Sequence, residues 1–288
     1  MAGHDTSDTA PSRTRAALPP SPCVGICTLN GDHCYGCGRT SDEIAHWGTL
    51  SPSAQSAVWA QLPGRLAAFG FKTFRLAAGP EVVADFISRT FTESTGAWRL
   101  VSTSIEARFE IRRDAPAAVD ETDMMVTATA GDGASVSLIK HPKVRVFGFA
   151  SSAEMPALDT VALVLPKGRA ERDLARIDEP GDGFLSLHLQ DRYAKAWIEA
   201  PLGDAALKAA ADTPLPHDEL ALLAADGDRR VILRNALGSV ETPHVTVAAS
   251  APANDANAPS DMRISRAFVA AAVFKADNPE WLAAALAP

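Results

Sequence analysis

The sequence predicts an α+β protein in which a small four-cysteine knuckle with two short helices precedes a mostly antiparallel sheet domain with several helices. Three observations support this fold class. All four cysteines lie within residues 23–37 of the 288-residue chain. Strand patterns in the rest of the chain come in neighbouring pairs joined by glycine-containing turns, as in hairpins. No regular alternation of strand, helix and strand occurs, so a doubly wound parallel sheet is not expected.

The composition is that of a globular protein with a net acidic charge. Hydrophobic residues make up 47% of the chain, charged residues 22%, and the formal net charge is −8. This balance argues against a general affinity for nucleic acid or anionic membranes. No apolar run is long enough to span a bilayer. Residues 1–20 contain no apolar core and are predicted to form a flexible tail, and we expect a cytoplasmic location.

The four cysteines are spaced C-x3-C-x6-C-x2-C, at Cys23, Cys27, Cys34 and Cys37. Thiols this close in sequence can meet around one ion without help from the distant fold, and the C-x2-C pair is typical of a metal knuckle. Tetrahedral four-cysteine sites bind zinc, and the same thiolates can hold an iron–sulfur cluster. Both cofactors therefore fit the spacing.

The cysteines and their neighbours allow two alternatives to a four-cysteine metal site. Two disulfides would suit an exported mini-domain, but clustered cysteines in a reducing compartment are more often metal ligands. His33 could replace one cysteine as a ligand. Since four cysteines already complete a tetrahedron, we expect His33 to lie exposed beside the knuckle.

Two helices are predicted directly after the cysteines. Thr40 and Glu43 form a capping box for the first helix, which is expected to end by Gly48. Ser51 and Pro52 start the second helix, as N-cap and first helical residue.

The second helix is predicted to bury a stripe at Ala54, Val58 and Leu62, and Pro63-Gly64 is expected to break or bend the chain. Trp47 and Trp59 would form the small core of a four-cysteine module, residues 21–69. Because a core of this size is insufficient for independent stability, bound metal should supply much of the folding energy.

Three sequence motifs of this module resemble a known pattern when they are taken together. They are Ser21-Pro22-Cys23-Val24-Gly25-Ile26-Cys27, Cys34-Tyr35-Gly36-Cys37-Gly38-Arg39-Thr40 and Asp42-Glu43-Ile44-Ala45-His46-Trp47. Together they resemble the bacterial domain-of-unknown-function family 1289, over residues 21 to about 66. Small members of that family are often labelled predicted iron–sulfur proteins, and no reaction is established for it.

The resemblance implies a four-thiolate metal site at Cys23, Cys27, Cys34 and Cys37, followed by a helix that carries Glu43, Ile44 and Trp47. The second helix of the family usually opens with an acidic residue, whereas this chain has Ser51-Pro52-Ser53-Ala54-Gln55. That departure affects the capping of the helix and leaves the metal site unchanged.

The larger domain, residues 77–288, is predicted from hairpin patterns and amphipathic helices. A helix opens at Gly79-Pro80-Glu81 with a buried face at Val83, Phe86, Ile87 and Phe91. Alternation at 105–112 predicts a strand with one buried face. The remaining predicted strands span residues 124–130, 134–139, 144–149, 160–165, 185–190, 193–199, 230–235 and 239–247. Further helices are predicted at 204–211, at 217–225, from Ser265 through Phe268, Val269 and Val273, and around Trp281, and 248–260 is predicted to be a loop.

The order of features from Trp98 through Leu165 to Ala236-Leu237-Gly238-Ser239-Val240-Glu241 resembles a second uncharacterised bacterial domain, which implies no function. No nucleotide-binding, metalloprotease or serine-hydrolase motif occurs. We therefore assign no catalytic residue and no organic cofactor, and the sequence favours a binding protein over an enzyme. The basic stretches at 140–145 and 167–169 are interpreted as solvated loop charge, with a small-anion or acidic-partner surface as the alternative.

Two functions are consistent with these patterns. The first is a non-enzymatic cytoplasmic protein whose metal-stapled module docks a protein partner, with zinc as a structural ion. The second is an iron–sulfur redox or sensor protein. Neither nucleic acid nor a membrane is an expected partner, and no small-molecule ligand is indicated.

Overall fold

The computed structural model describes residues 20–101, 105–111, 117–131, 133–150, 158–166, 174–178, 184–190, 194–211, 229–235, 238–242, 248–249 and 268–286. Within these residues the architecture is α+β, as predicted, and every paired strand is antiparallel to its neighbour. The predicted helix at 217–225 and residues 1–19 of the predicted tail lie outside the described residues.

The four-cysteine module contains a two-stranded hairpin followed by helices. Its elements are β1 (Leu29–Asn30), β2 (His33–Cys34), α1 (Ser41–His46), a 3-10 turn (Trp47–Thr49) and α2 (Pro52–Ala68). The predicted capping box is confirmed: the Thr40 side chain accepts from the Glu43 N–H, and the Glu43 side chain accepts from the Thr40 N–H. Ser51 caps α2 as predicted.

Pro63 does not break the second helix, so of the two predicted outcomes, a break or a bend of the chain, the break is wrong. Proline in a helix interior removes one backbone hydrogen bond, but α2 continues to Ala68, and Leu62 and Leu66 on either side of Pro63 are both buried. Packing of that face holds the last turns in place. The helix ends before Gly70, whose φ of +80° permits a left-handed C-terminal turn.

A seven-stranded sheet lies next along the chain. Its order is β16-β5-β4-β17-β10-β9-β3. The strands are β3 (Thr73–Leu76), β4 (Ala97–Val101), β5 (Ile105–Glu110), β9 (Arg145–Ala150), β10 (Leu158–Pro166), β16 (Ala248–Ala249) and β17 (Phe268–Lys275). The edge strand β3 precedes residue 77, so this sheet includes chain that connects the module to the predicted larger domain.

An eight-stranded sheet has the order β11-β12-β13-β14-β15-β8-β7-β6. The strands are β6 (Ala118–Glu121), β7 (Met125–Thr129), β8 (Ser135–Ile139), β11 (Leu174–Asp178), β12 (Phe184–Gln190), β13 (Ala194–Pro201), β14 (Arg230–Asn235) and β15 (Gly238–Thr242). The hairpins predicted at 124–139 and 185–199 are confirmed as β7–β8 and β12–β13.

Three further helices pack with the sheets: α3 (Pro80–Thr92), α4 (Ala205–Ala211) and α5 (Pro279–Ala285). One hydrophobic core joins buried residues of all three helices and both large sheets. It includes the buried face predicted for α3. Phe86, Trp98 and Phe274 stack at its centre, with ring centroids 5.1 to 5.9 Å apart.

The predicted helix from Ser265 through Val273 is wrong from Phe268 onward, where the chain forms β17. This strand lies inside the seven-stranded sheet, between β10 and β4. A short, continuously apolar run is compatible with either a buried helix or a buried strand, and its periodicity alone does not distinguish them. Ala248–Ala249 of the predicted loop also forms a strand, β16, and β1, β2, β3, β4, β6 and β11 were not predicted.

Candidate metal centre

The knuckle turn follows β2 and carries the second pair of cysteines. The Tyr35 N–H donates to the Thr28 carbonyl at 2.8 Å, and the Gly38 N–H donates to the Cys34 carbonyl at 2.7 Å. A Cβ atom on Gly36 would lie only 2.1 Å from the carbonyl oxygen of Ile26. Only glycine permits this approach, which brings the chain between Cys23 and Cys27 against the turn.

The two knuckle cysteines interact with each other. Cys34 and Cys37 are 0% and 4% exposed, whereas Cys23 and Cys27 are exposed, and all four are free thiols. A hydrogen bond from the Cys37 side chain, helped by backbone N–H groups of Cys37, Gly36 and Thr28, outweighs burial and holds the pKa of Cys34 well below its ordinary value. The same bond and burial raise the pKa of Cys37. Ionisation of the pair therefore favours Cys34, where these bonds stabilise a negative charge.

The first pair of cysteines lies close to this charge. The negative charge of Cys34, followed by burial, raises the pKa of Cys27, and Cys23 adds to the effect. The sulfur of Cys23 accepts the Gly25 N–H at 3.4 Å. The four cysteines are thus near one another. In the part of the chain that the structure describes, however, no three His, Cys, Asp or Glu side chains are arranged to hold a metal ion.

His33 is half-buried beside the knuckle. Its ring lies edge-on to Phe69, with centroids 6.3 Å apart. The prediction placed it beside the turn in an exposed position. The contact with Phe69 explains why it is only partly accessible.

The module is held together by polar contacts as well as by its small core. Arg65 of α2 forms a two-pronged ion pair with Glu43 of α1, at 2.7 and 3.0 Å, and donates to the Gly38 carbonyl at 3.3 Å. Burial raises the pKa of Glu43, but the bonds from Arg65 and from the Thr40 N–H reverse that effect and lower it. Trp59 packs with Val58 and Leu62, and Trp47 packs against that group, as predicted for the module core.

The cysteine module also packs on the seven-stranded sheet. Val24, between the first two cysteines, is 1% exposed and belongs to a core cluster with Phe147, Ala162, Val164 and Val273. These partners come from β9, β10 and β17. Hydrophobic packing on the seven-stranded sheet therefore adds to the small core that the residues of the module form among themselves.

The cysteine segment matches one known protein family. Residues 21–66 match the family described as "Protein of unknown function (DUF1289)". This segment is a DUF1289 domain. The rest of the chain has no family assignment. No curated protein and no solved structure matches the chain.

Two arginines contact the cysteine segment and a third lies on the same sheet face as one of them; the two on the sheet lie outside the DUF1289 domain. Arg39, 4% exposed, donates through Nε to the Cys37 sulfur at 3.5 Å and lies over the Trp47 ring. Arg75 of β3, 6% exposed, donates to the Cys23 carbonyl and lies over the Trp59 ring. Arg145 of β9 is half-buried and donates to the carbonyls of residues 142 and 144.

Arg75 carries a buried positive charge beside the Cys23 carbonyl, and Arg145 carries a half-buried one on the same face of the sheet. Burial, with the charge of Arg145, lowers the pKa of Arg75 to about 9, which leaves it protonated at neutral pH. Burial also lowers the pKa of Arg145. The charge of Cys23 opposes both shifts. Among the described residues, the buried Nε atoms of these two arginines have no hydrogen-bond partner.

The local sequence pattern does not predict that Arg75 and Arg145 lie near the cysteine segment. The signal was present for Arg75, since it stands between the apolar Phe74 and Leu76 in a short strand, where a charged residue is unusual. Arg145 was grouped with a solvated basic loop. That interpretation is wrong for Lys140 as well, because its ammonium group pairs with Glu81 at 2.8 Å and Glu121 at 2.7 Å. The second basic stretch, 167–169, lies outside the described residues.

Within the described residues, no helix is both long and apolar enough to cross a membrane. The described histidines form no cluster with carboxylates or cysteines that could hold a metal.

Proposed function

We propose that Cys23, Cys27, Cys34 and Cys37 bind one metal ion or cluster, and that this site fastens the DUF1289 domain. The observation that carries the proposal is the packing of the buried Cys34–Cys37 pair against the chain between Cys23 and Cys27, where hydrogen bonds from the Cys37 side chain and from backbone N–H groups favour a thiolate at Cys34. Cys27 lies close to Cys34, whose negative charge raises the pKa of Cys27. A bound cation reverses this repulsion, because it favours the thiolate form of every ligand.

The donor set fits zinc or an iron–sulfur cluster. All four candidate ligands are soft sulfur atoms, which zinc and iron–sulfur clusters bind well. The close approach of Gly36 to the Ile26 carbonyl, between the two cysteine pairs in the chain, supports a shared site. Cys34 and Cys37 would form the buried half of the site, and Cys23 and Cys27 the accessible half. When bound, zinc would supply a redox-silent crosslink between the two halves.

The role we propose for this crosslink is structural, with docking of a protein partner as its consequence. Val24 and the Cys23 carbonyl both contact the seven-stranded sheet, so an ion at the adjacent sulfur atoms would order the segment that joins module to sheet. Leu29, 54% exposed, and Tyr35, 36% exposed, present apolar surface on the hairpin and knuckle. We propose this surface for the partner, in a reducing cytoplasm where the cysteines remain available to metal.

An iron–sulfur redox or sensor protein is the second candidate. The N–H groups that face the Cys34 sulfur and the guanidinium of Arg39 at the Cys37 sulfur favour it, because such bonds tune the potential of a cluster. Its chemistry would be electron transfer or sensing, whereas zinc provides neither.

Metal uptake by the purified full chain tests the proposal. Cobalt(II) added to reduced, metal-free protein should give the strong visible absorption of tetrahedral thiolate coordination, and added zinc should abolish it. Cys34→Ser should remove the absorption, and His33→Asn should leave it unchanged. Absence of the absorption in the unmodified chain would reject a four-thiolate site.

Anaerobic purification separates the two candidates. A brown protein with stoichiometric iron and sulfide supports the iron–sulfur function. A colourless protein with one zinc per chain supports the structural function.

A further inference from the structure

We propose that Arg39, Arg75 and Arg145 provide the counter-charge of the four-thiolate site, so that the seven-stranded sheet completes a centre whose ligands lie in the DUF1289 domain. This inference rests on the proposed metal site and adds residues that are not ligands. Arg75 and Arg145 act as positioning residues, since they stabilise the anionic group without binding the metal.

The placement of the arginines follows from the strand register. Arg75 of β3 lies opposite Phe147 of β9, and Arg145 lies two residues from Phe147 along the same strand. Residues two apart on a strand share a face, so the two arginines and Phe147 lie on one side of the sheet. Phe147 packs with Val24, which stands next to Cys23 in the chain. The sheet therefore presents both arginines to the cysteine segment.

The protein contacts of Arg75 and Arg145 do not offset the free-energy cost of removing their charges from water. Among the described residues, neither Arg75 nor Arg145 has a carboxylate partner within ion-pair distance, although Arg65, Arg89 and Arg229 do. A buried charge without a counter-ion is strongly unfavourable. Both Nε–H groups are buried and have no acceptor. An anion close to both would remove the penalty.

The proposed metal site is such an anion. A divalent ion with four thiolate ligands is a dianion, and oxidised four-thiolate iron–sulfur clusters are also negatively charged. Arg39 already donates to the sulfur of Cys37, and Arg75 donates to the Cys23 carbonyl. Positive groups outside the ligand sphere retain an anionic metal complex and tune it.

The test compares zinc release from the full chain in variants of each arginine. Arg75→Gln and Arg145→Gln should transfer zinc to a chromogenic chelator about tenfold faster than the unmodified protein, the lower end of the effect of losing an outer partner. Arg75→Lys, which retains the charge, should stay closer to the unmodified rate. Arg89→Gln is the matched control, because Arg89 pairs with Glu93 on α3, away from the cysteines.

A second measurement separates counter-charge from ordinary packing. Arg75→Gln should lower the midpoint of thermal unfolding more in zinc-loaded protein than in zinc-free protein, because the buried charge lacks its anion in the latter. Equal shifts in both forms, or zinc release at the unmodified rate in both Gln variants, would overturn the inference and leave the metal site standing. Failure of the unmodified chain to bind zinc or a cluster would overturn the proposed function as well. If Arg75→Gln does not fold, the half-buried Arg145 provides the same comparison.

Discussion

The close approach of Gly36 to Ile26 predicts that a side chain at residue 36 destabilises the knuckle. In Gly36→Ala the new methyl group would lie 2.1 Å from the Ile26 carbonyl oxygen and 3.1 Å from Val24 Cγ2, whereas ordinary contact begins at 3.4 Å. The nearest atom belongs to the backbone, so no flexible side chain can move aside. The two cysteine arms must separate by roughly 1 Å, and forced overpacking of this kind costs about 1–3 kcal/mol.

Gly64 offers a matched control in the same module. It lies inside α2, and a Cβ atom there would meet nothing within 4 Å. Gly64→Ala should stabilise the helix by about 0.5–1 kcal/mol, since alanine loses less backbone entropy than glycine on folding. The two glycine-to-alanine changes are therefore expected to have opposite signs.

Hydrogen exchange of peptides from residues 21–40, read by mass spectrometry, measures the local opening free energy without relying on tryptophan signals from the sheets. A loss of about 2 kcal/mol in Gly36→Ala corresponds to roughly thirtyfold faster exchange. Metal retention should fall in parallel. Unchanged exchange in Gly36→Ala, or equal destabilisation by both variants, would refute the proposed packing of the two arms.

Three further predictions concern elements outside the sulfur cluster. Thr40→Ala removes the hydroxyl that accepts the Glu43 N–H at 3.1 Å, so chemical denaturation should show a loss of about 1 kcal/mol, and an unchanged midpoint would contradict the capping box. Thr90→Val leaves the buried Trp98 indole N–H, now 3.0 Å from the Thr90 hydroxyl, without a partner and should cost about 1–3 kcal/mol, with Thr90→Ser as the control that retains the hydroxyl. The pKa of Asp204 lies below its ordinary value of 3.8 because of the bonds from Arg229, so this pair stabilises the fold above about pH 4 and loses its contribution as the pH falls through the lowered pKa. Unfolding titrations should show Asp204→Asn to be less stable than the unmodified chain at pH 7, with the difference shrinking at acid pH; a difference independent of pH would rule this out.

Features determined by neighbouring residues were predictable from the sequence. The capping box at Thr40, the Ser51 N-cap and the β7–β8 and β12–β13 hairpins depend on side chains and turns a few residues apart. The cysteine cluster was found for the same reason, since its members lie within residues 23–37.

Features determined by distant packing were not predictable. The apolar run of β17 becomes a strand because β10 and β4 pair with it, and neither lies near it in sequence. Pro63 stays within α2 because buried residues on both sides hold the helix. Arg75 contacts the cysteine segment, and Arg145 shares its face of the sheet, through the register of β3 and β9, which the local pattern does not specify.

Native mass spectrometry of the reduced chain measures whether the four sulfur atoms share one ion or cluster. Comparing masses under native and denaturing conditions counts the bound metal and sulfide per chain. A shared four-thiolate site predicts one zinc ion, or one iron–sulfur cluster, per chain. The metal should be lost when any of Cys23, Cys27, Cys34 and Cys37 is replaced by serine. A native mass equal to that of the bare polypeptide in protein purified anaerobically without chelator, or a mass lower by the hydrogens of two disulfides, would contradict it.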